Sequence, residues 1–93
     1  MFERILKKIR DKIRTKQYIM TLHAEEEMDN DDLSILDIER CILNGAIIER
    51  HKDIQTGEWK YTIIGSSLSN HKVEVITKTS LTGKLVIITV YKI

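Results

Sequence analysis

The strongest constraint in the chain is a change of hydrophobic rhythm at Gly45. Before it, apolar residues recur at spacings of three and four, the period of a helix. After it come runs rich in β-branched and aromatic residues, separated by short glycine-bearing or polar turns. Helices first and strands second define an α+β chain rather than an alternating α/β one. No proline, repeat or linker interrupts the 93 residues, so a single domain over 1–93 is expected.

The local signals can be placed one by one. Phe2, Ile5, Leu6, Ile9 and Ile13 form one stripe, which predicts a basic amphipathic helix over residues 1–16. Tyr18 and Ile19 break that pattern, so Gln17–Met20 reads as a short strand. Residues 21–45 read as two helices. Thr21 caps the first, and acids gather near the positive end of its dipole. Ser34 caps the second with Asp37 at the capping-box position, and Leu33 can staple onto Ile38. Ile35, Ile38 and Ile42 make its expected buried stripe, and Asn44-Gly45 ends it through the left-handed conformation that glycine reaches easily.

Residues 46–93 divide into Ala46–Asp53, Glu58–Gly65, Lys72–Thr79 and Lys84–Lys92, a four-stranded antiparallel sheet on which the helices pack. In the last strand Val86, Ile88 and Val90 form a purely aliphatic face, the expected seat of the helices. Leu85, Ile87, Thr89 and Tyr91 form the other.

Fifteen Lys and Arg against fourteen Asp and Glu leave +1, which excludes a strong overall pull toward nucleic acid or an anionic membrane. That balance conceals segregation. Residues 1–17 carry +5, residues 23–40 carry −7 and the remainder +3. The two opposed blocks can face each other within the fold or across a homodimer, or the basic block can face a polyanion. No apolar run approaches the roughly 20 residues of a bilayer span, and Cys41 stands alone. A cytoplasmic protein without disulfide or membrane association is expected.

His23, His51, His71 and Cys41 lack the spacing of a zinc site, so no metal and no cofactor is expected. Asp29-Asn30-Asp31-Asp32 lacks the glycine and distal glutamate of a calcium loop. No glycine-rich phosphate loop and no Ser-His-Asp spacing is present. His23 is the residue with chemical promise. It opens a helix, whose dipole favours neutral imidazole, and Glu27 one turn on favours the charged form. An imidazole so placed suits proton transfer; equally, it can simply tether strand to helix. Trp59 and Tyr61 share a strand face, as core aromatics or as a stacking platform. Arg50, Lys52, Lys60 and Lys72 are strand cations able to meet phosphate oxygens.

Thr21-Leu22-His23-Ala24-Glu25-Glu26-Glu27-Met28, then Asp32-Leu33-Ser34, Asp37-Ile38-Glu39 and Leu43-Asn44-Gly45-Ala46-Ile47-Ile48-Glu49 resemble the domain of unknown function 4258 family. Glu58-Trp59-Lys60-Tyr61 with Gly65, and Val86-Ile87-Ile88-Thr89-Val90-Tyr91, continue the resemblance. It implies a RelE-like fold of the barnase, EndoU and colicin superfamily, and a metal-independent endoribonuclease toxin of a bacterial toxin–antitoxin pair. The implied partners are RNA and an antitoxin, often a small zinc-ribbon protein of the MqsA (YgiT) kind. In that reading His23, Glu27 and Tyr91 are catalytic, while Arg50, Lys60, Lys72 and Thr89 hold the RNA phosphate. Many relatives carry arginine where this chain has Glu27, which removes a cation. The alternative is a non-catalytic interaction module, or degenerate toxin, that binds an antitoxin-like protein.

Overall fold

A computed structural model describes all residues from Met1 to Ile93. The first helix, α1 (Glu3–Arg14), buries Ile9 and Ile13 against the sheet. A short strand β1 (Tyr18–Met20) follows, then α2 (Leu22–Asn30) and α3 (Ile35–Asn44). Four longer strands complete the chain: β2 (Ala46–Lys52), β3 (Trp59–Ser66), β4 (Lys72–Thr79) and β5 (Leu85–Lys92). One cluster of fifteen buried residues draws on all three helices and on β2 to β5, so helices and sheet share a core. Truncating a member as fully enclosed as Ile13 or Ile38 costs about 2–5 kcal/mol through lost transfer energy and the void left behind.

The caps form as the sequence implies. The Thr21 hydroxyl accepts from the Ala24 amide at 3.1 Å. Ser34 and Asp37 make the reciprocal capping box, with Ser34 N–H to Asp37 Oδ2 at 2.8 Å. Leu33 and Ile38 both enter the core. Ile35 does not: it is exposed, and the buried stripe of α3 runs through Ile38, Glu39, Cys41 and Ile42 instead. Gly45 also departs from expectation, being extended (φ −88°, ψ −174°) rather than left-handed. Its lack of a side chain serves close approach: a Cβ there would stand 2.6 Å from the Cys41 carbonyl oxygen and 2.9 Å from the Ile64 carbonyl carbon. The end of α3 is closed from another element, since Arg10 donates to the carbonyls of Ile42 (3.4 Å) and Gly45 (2.8 Å), where the helix dipole favours a cation.

The sheet corrects the expected four antiparallel strands. It has five, in the order β1-β5-β4-β3-β2, and β1 lies parallel to β5 through Tyr18↔Leu85, Ile19↔Val86 and Met20↔Ile87. Three residues contain no information about a partner sixty-odd positions away; the chain's path decides it. Glu39 secures the junction, accepting from Lys16 Nζ at 2.7 Å and from the Tyr18 hydroxyl at 2.5 Å. Burial opposes ionisation of Glu39, yet these two donors outweigh it and hold its carboxyl below the usual range.

Two bulges set the faces. In β2 the register jumps between Ile47 and Glu49. In β5, Thr77 pairs with Ile87 and Ile76 with Thr89, so Ile88 is the extra residue. The bulge overturns the first half of the expected face assignment: Leu85 and Ile87, not Val86 and Ile88, are enclosed in the helix-side core, while Val90 on that side and Thr89 and Tyr91 on the open side fall where expected. A bulge slips the side-chain period by one residue and bends the strand.

Candidate functional site

Beyond Ile87 the outer edge of β5 has no strand beside it, because β1 is only three residues long. Helix α2 takes its place with its own polar groups. Thr21 N–H donates to the Ile87 carbonyl (3.0 Å), and the Thr21 hydroxyl to the Ile88 carbonyl (3.1 Å). Farther along, the Val90 amide donates to Glu27 Oε1 (3.1 Å) and the Lys92 amide to Asp31 Oδ2 (2.8 Å). Two of the acids in the −7 block thus imitate the carbonyls of a missing strand and satisfy an edge that would otherwise invite pairing.

This edge assembles the three residues expected to be catalytic. His23 Nε2 lies 3.2 Å from Glu27 Oε1, the oxygen that also receives Val90 N–H; the imidazole is 67% exposed and the carboxylate 24%. Tyr91, the next residue along β5, points to the open side and donates its hydroxyl to Glu74, its cross-strand partner. That hydrogen bond, reinforced by desolvation and by the fields of Glu74, Glu27 and Glu49, holds the phenol protonated to higher pH than an ordinary tyrosine. Thr89 is on the same side, opposite Ile76. Glu49 has His51 as its ion-pair neighbour at 3.3 Å, and no Lys or Arg stands within ion-pairing distance of Glu27, Glu49 or Glu74.

The expected phosphate-holding cations are not gathered here. Arg50 sits opposite Tyr61 on the helix side of the sheet, its guanidinium 4.3 Å from the centre of the Trp59 ring; Lys52 is 5.9 Å from the same ring. Lys60 reaches the open side but pairs with Asp53 at 3.6 Å, beside a second pair, Lys78 with Glu58 at 3.0 Å. Lys72 is opposite Ser66, about 20 Å along the strand from the Lys60 row, and lies on the open face two residues from Glu74, the partner of Tyr91. The structure therefore places His23, Glu27 and Tyr91 along one end of β5, with Lys72 on the neighbouring strand, and sends Arg50 and Lys60 elsewhere.

No group of three or more His, Cys, Asp or Glu side chains converges in a way that could hold a metal ion. Cys41 is fully enclosed, donates to the Val73 carbonyl at 3.4 Å and has its thiol pushed up to about 11 by burial, so it is no nucleophile. Glu49, Glu74 and Asp31 were not legible as neighbours of Tyr91 and β5: Glu74 meets Tyr91 through strand register, and Asp31 meets the Lys92 amide through helix docking.

The family model for a domain of unknown function, DUF4258, matches residues 20–92, from the last residue of β1 to the last of β5. The chain belongs to that family. No curated protein and no solved structure matched it.

Proposed function

We propose that the chain is a non-catalytic protein-binding module of the toxin–antitoxin class, a cytoplasmic, RelE-like protein that engages an antitoxin-like partner rather than cleaving RNA. The observation that carries this reading is the composition of the surroundings of His23. Glu27 holds it, Tyr91, Glu74 and Glu49 lie nearby, and Arg50 and Lys60 are committed elsewhere. Metal-independent RNA cleavage has to neutralise charge growing on phosphorus, and nucleic-acid affinity comes chiefly from cations meeting phosphates. Carboxylates in their place repel the substrate. Glu27 is also occupied in sealing β5, which gives its place in the motif a structural purpose.

The test pairs two assays. Induction of the protein alone is expected to leave growth and cellular RNA intact, and the product of a neighbouring gene is expected to copurify with it in fixed stoichiometry. RNA degradation by the purified protein, abolished by His23→Ala, would defeat the reading and restore the second one.

That second reading, an endoribonuclease, draws support from the convergence of His23, Glu27 and Tyr91 at an exposed edge. His23 would exchange the proton, Glu27 would orient the ring and the Tyr91 hydroxyl would meet a phosphate oxygen. Its cation would be Lys72, two residues from Glu74 on the same face and without an ion pair, or one supplied by a partner or the ribosome.

A further inference from the structure

The cations of α1 and β2 have another destination, on the opposite side of the sheet from Tyr91. Between α1 and the sheet runs a groove of about 540 Å³ floored by Ile5, Ile9, Tyr61 and Leu85, with Lys8 and Lys12 on its rim. The surface continues past Tyr61. Phe2 meets that ring edge-on, with centroids 6.4 Å apart, and Arg50 and Lys52 lie across the β2–β3 ladder from Tyr61 and Trp59. Charge there is unbalanced. Lys8, Lys12, Arg50 and Lys52 make no ion pair, whereas the acids of α1 are engaged: Asp11, at the margin of the groove, with Arg14 at 3.4 Å, and Glu3 with the N-terminus at 3.0 Å. The acidic α2 cannot neutralise this surface within the fold, because the only ion pair joining the two charge blocks is Lys16 with Glu39.

Resting on the partner-binding reading above, we infer that this groove is where the partner docks, and that the docking segment is acidic and amphipathic, an aliphatic anchor flanked by carboxylates. A hydrophobic floor within a ring of unpaired cations matches that chemistry on both counts. It matches single-stranded nucleic acid less well. Bases need open aromatic faces, but Arg50 and Lys52 already stand over Trp59, Tyr61 is 9% exposed, and the floor is otherwise aliphatic. A second copy of this chain, offering its α2, is less suited, because Glu27 on that helix and Asp31 just after it are already bound to β5.

Fluorescence anisotropy on the purified full chain tests this with three labelled probes. One is a peptide with Leu at helical spacing and Glu elsewhere, one is the same peptide with Lys for every Glu, and one is a single-stranded RNA oligonucleotide. The Glu peptide alone is expected to bind, more weakly as salt rises. The double variants Lys8→Glu/Lys12→Glu and Arg50→Glu/Lys52→Glu should each weaken it about tenfold, while circular dichroism confirms that both fold.

Preference for the Lys peptide or the RNA, or indifference to both double variants, overturns the inference. So does salt-sensitive self-association lost in Lys8→Glu/Lys12→Glu. The two proposals fail separately. A stoichiometric complex with a neighbouring gene's product that ignores both variants leaves the binding-module reading standing and removes the groove. Peptide binding by a protein that also degrades RNA through His23 does the reverse.

Discussion

Replacing Glu27 with alanine tests whether an acid in the family motif is a structural substitute for a strand. Its Oε1 accepts from the Val90 amide at 3.1 Å on an edge with no strand beside it, and the carboxylate is 24% exposed. Hydrogen bonds to charged groups contribute about 1.5–3 kcal/mol, and the loss of one that leaves a part-buried amide without a partner falls in the same range. With some water access, Glu27→Ala should cost about 2 kcal/mol, which for a chain of this length lowers Tm by about 8–16 °C. Glu27→Gln keeps a neutral acceptor and should lose about half as much.

Urea and thermal melts at neutral pH give the energies, with the exposed neighbours Glu25→Ala and Glu26→Ala as controls expected within about 0.5 kcal/mol of the parent. Amide exchange at Val90 gives the location, and its protection should fall first. His23→Ala, which leaves the Val90 bond in place, should change stability by under about 1 kcal/mol. If Glu27→Ala behaves like the controls, the edge-sealing argument is wrong. If His23→Ala costs as much as Glu27→Ala, the imidazole rather than the strand is what Glu27 supports.

Three further outcomes follow from the packing. The Thr77 hydroxyl is buried with no hydrogen-bond partner, so Thr77→Val should raise stability by about 1 kcal/mol in a urea melt; a loss would mean that the hydroxyl has a partner after all. Gly65→Ala would place a Cβ 2.9 Å from the Cys41 carbonyl carbon and 2.7 Å from Asn44 Oδ1, forcing α3 off β3 at a cost of about 1–3 kcal/mol, with near-ultraviolet dichroism reporting the disturbed core.

Asp37, which accepts the Ser34 and Leu68 amides, and Glu39, which burial opposes but Lys16 and Tyr18 stabilise as the anion, both titrate below their ordinary values of 3.8 and 4.5. A depressed folded-state pKa means stability present above the unfolded value and lost as pH falls through the folded one. Acid melts should therefore weaken below those values, and Asp37→Asn with Glu39→Gln should flatten that limb. An unchanged slope would show that the acid transition belongs to other carboxylates.

Most of the local structure was legible because its causes are local. The Thr21 and Ser34 caps and the stripe of α1 each depend on residues a few positions apart. The approximate strand limits were readable for the same reason. The candidate site was legible in one part: His23 and Glu27 are i,i+4 on a helix, so their meeting at 3.2 Å needs nothing beyond helical geometry.

What the sequence determined by itself was the menu of elements, the charge blocks and the His23–Glu27 pair, all consequences of backbone periods that act over one or two turns. Which elements touch was decided by tertiary structure alone. The parallel seat of β1, the bulge at Ile88 that brings Leu85 and Ile87 to the helix side and the sealing of β5 by Glu27 and Asp31 depend on register and docking between distant segments. So does the scattering of Arg50 and Lys60. One inserted residue reverses every side chain beyond it, and strand pairing is chosen by the collective burial of a core to which no short stretch of sequence has access.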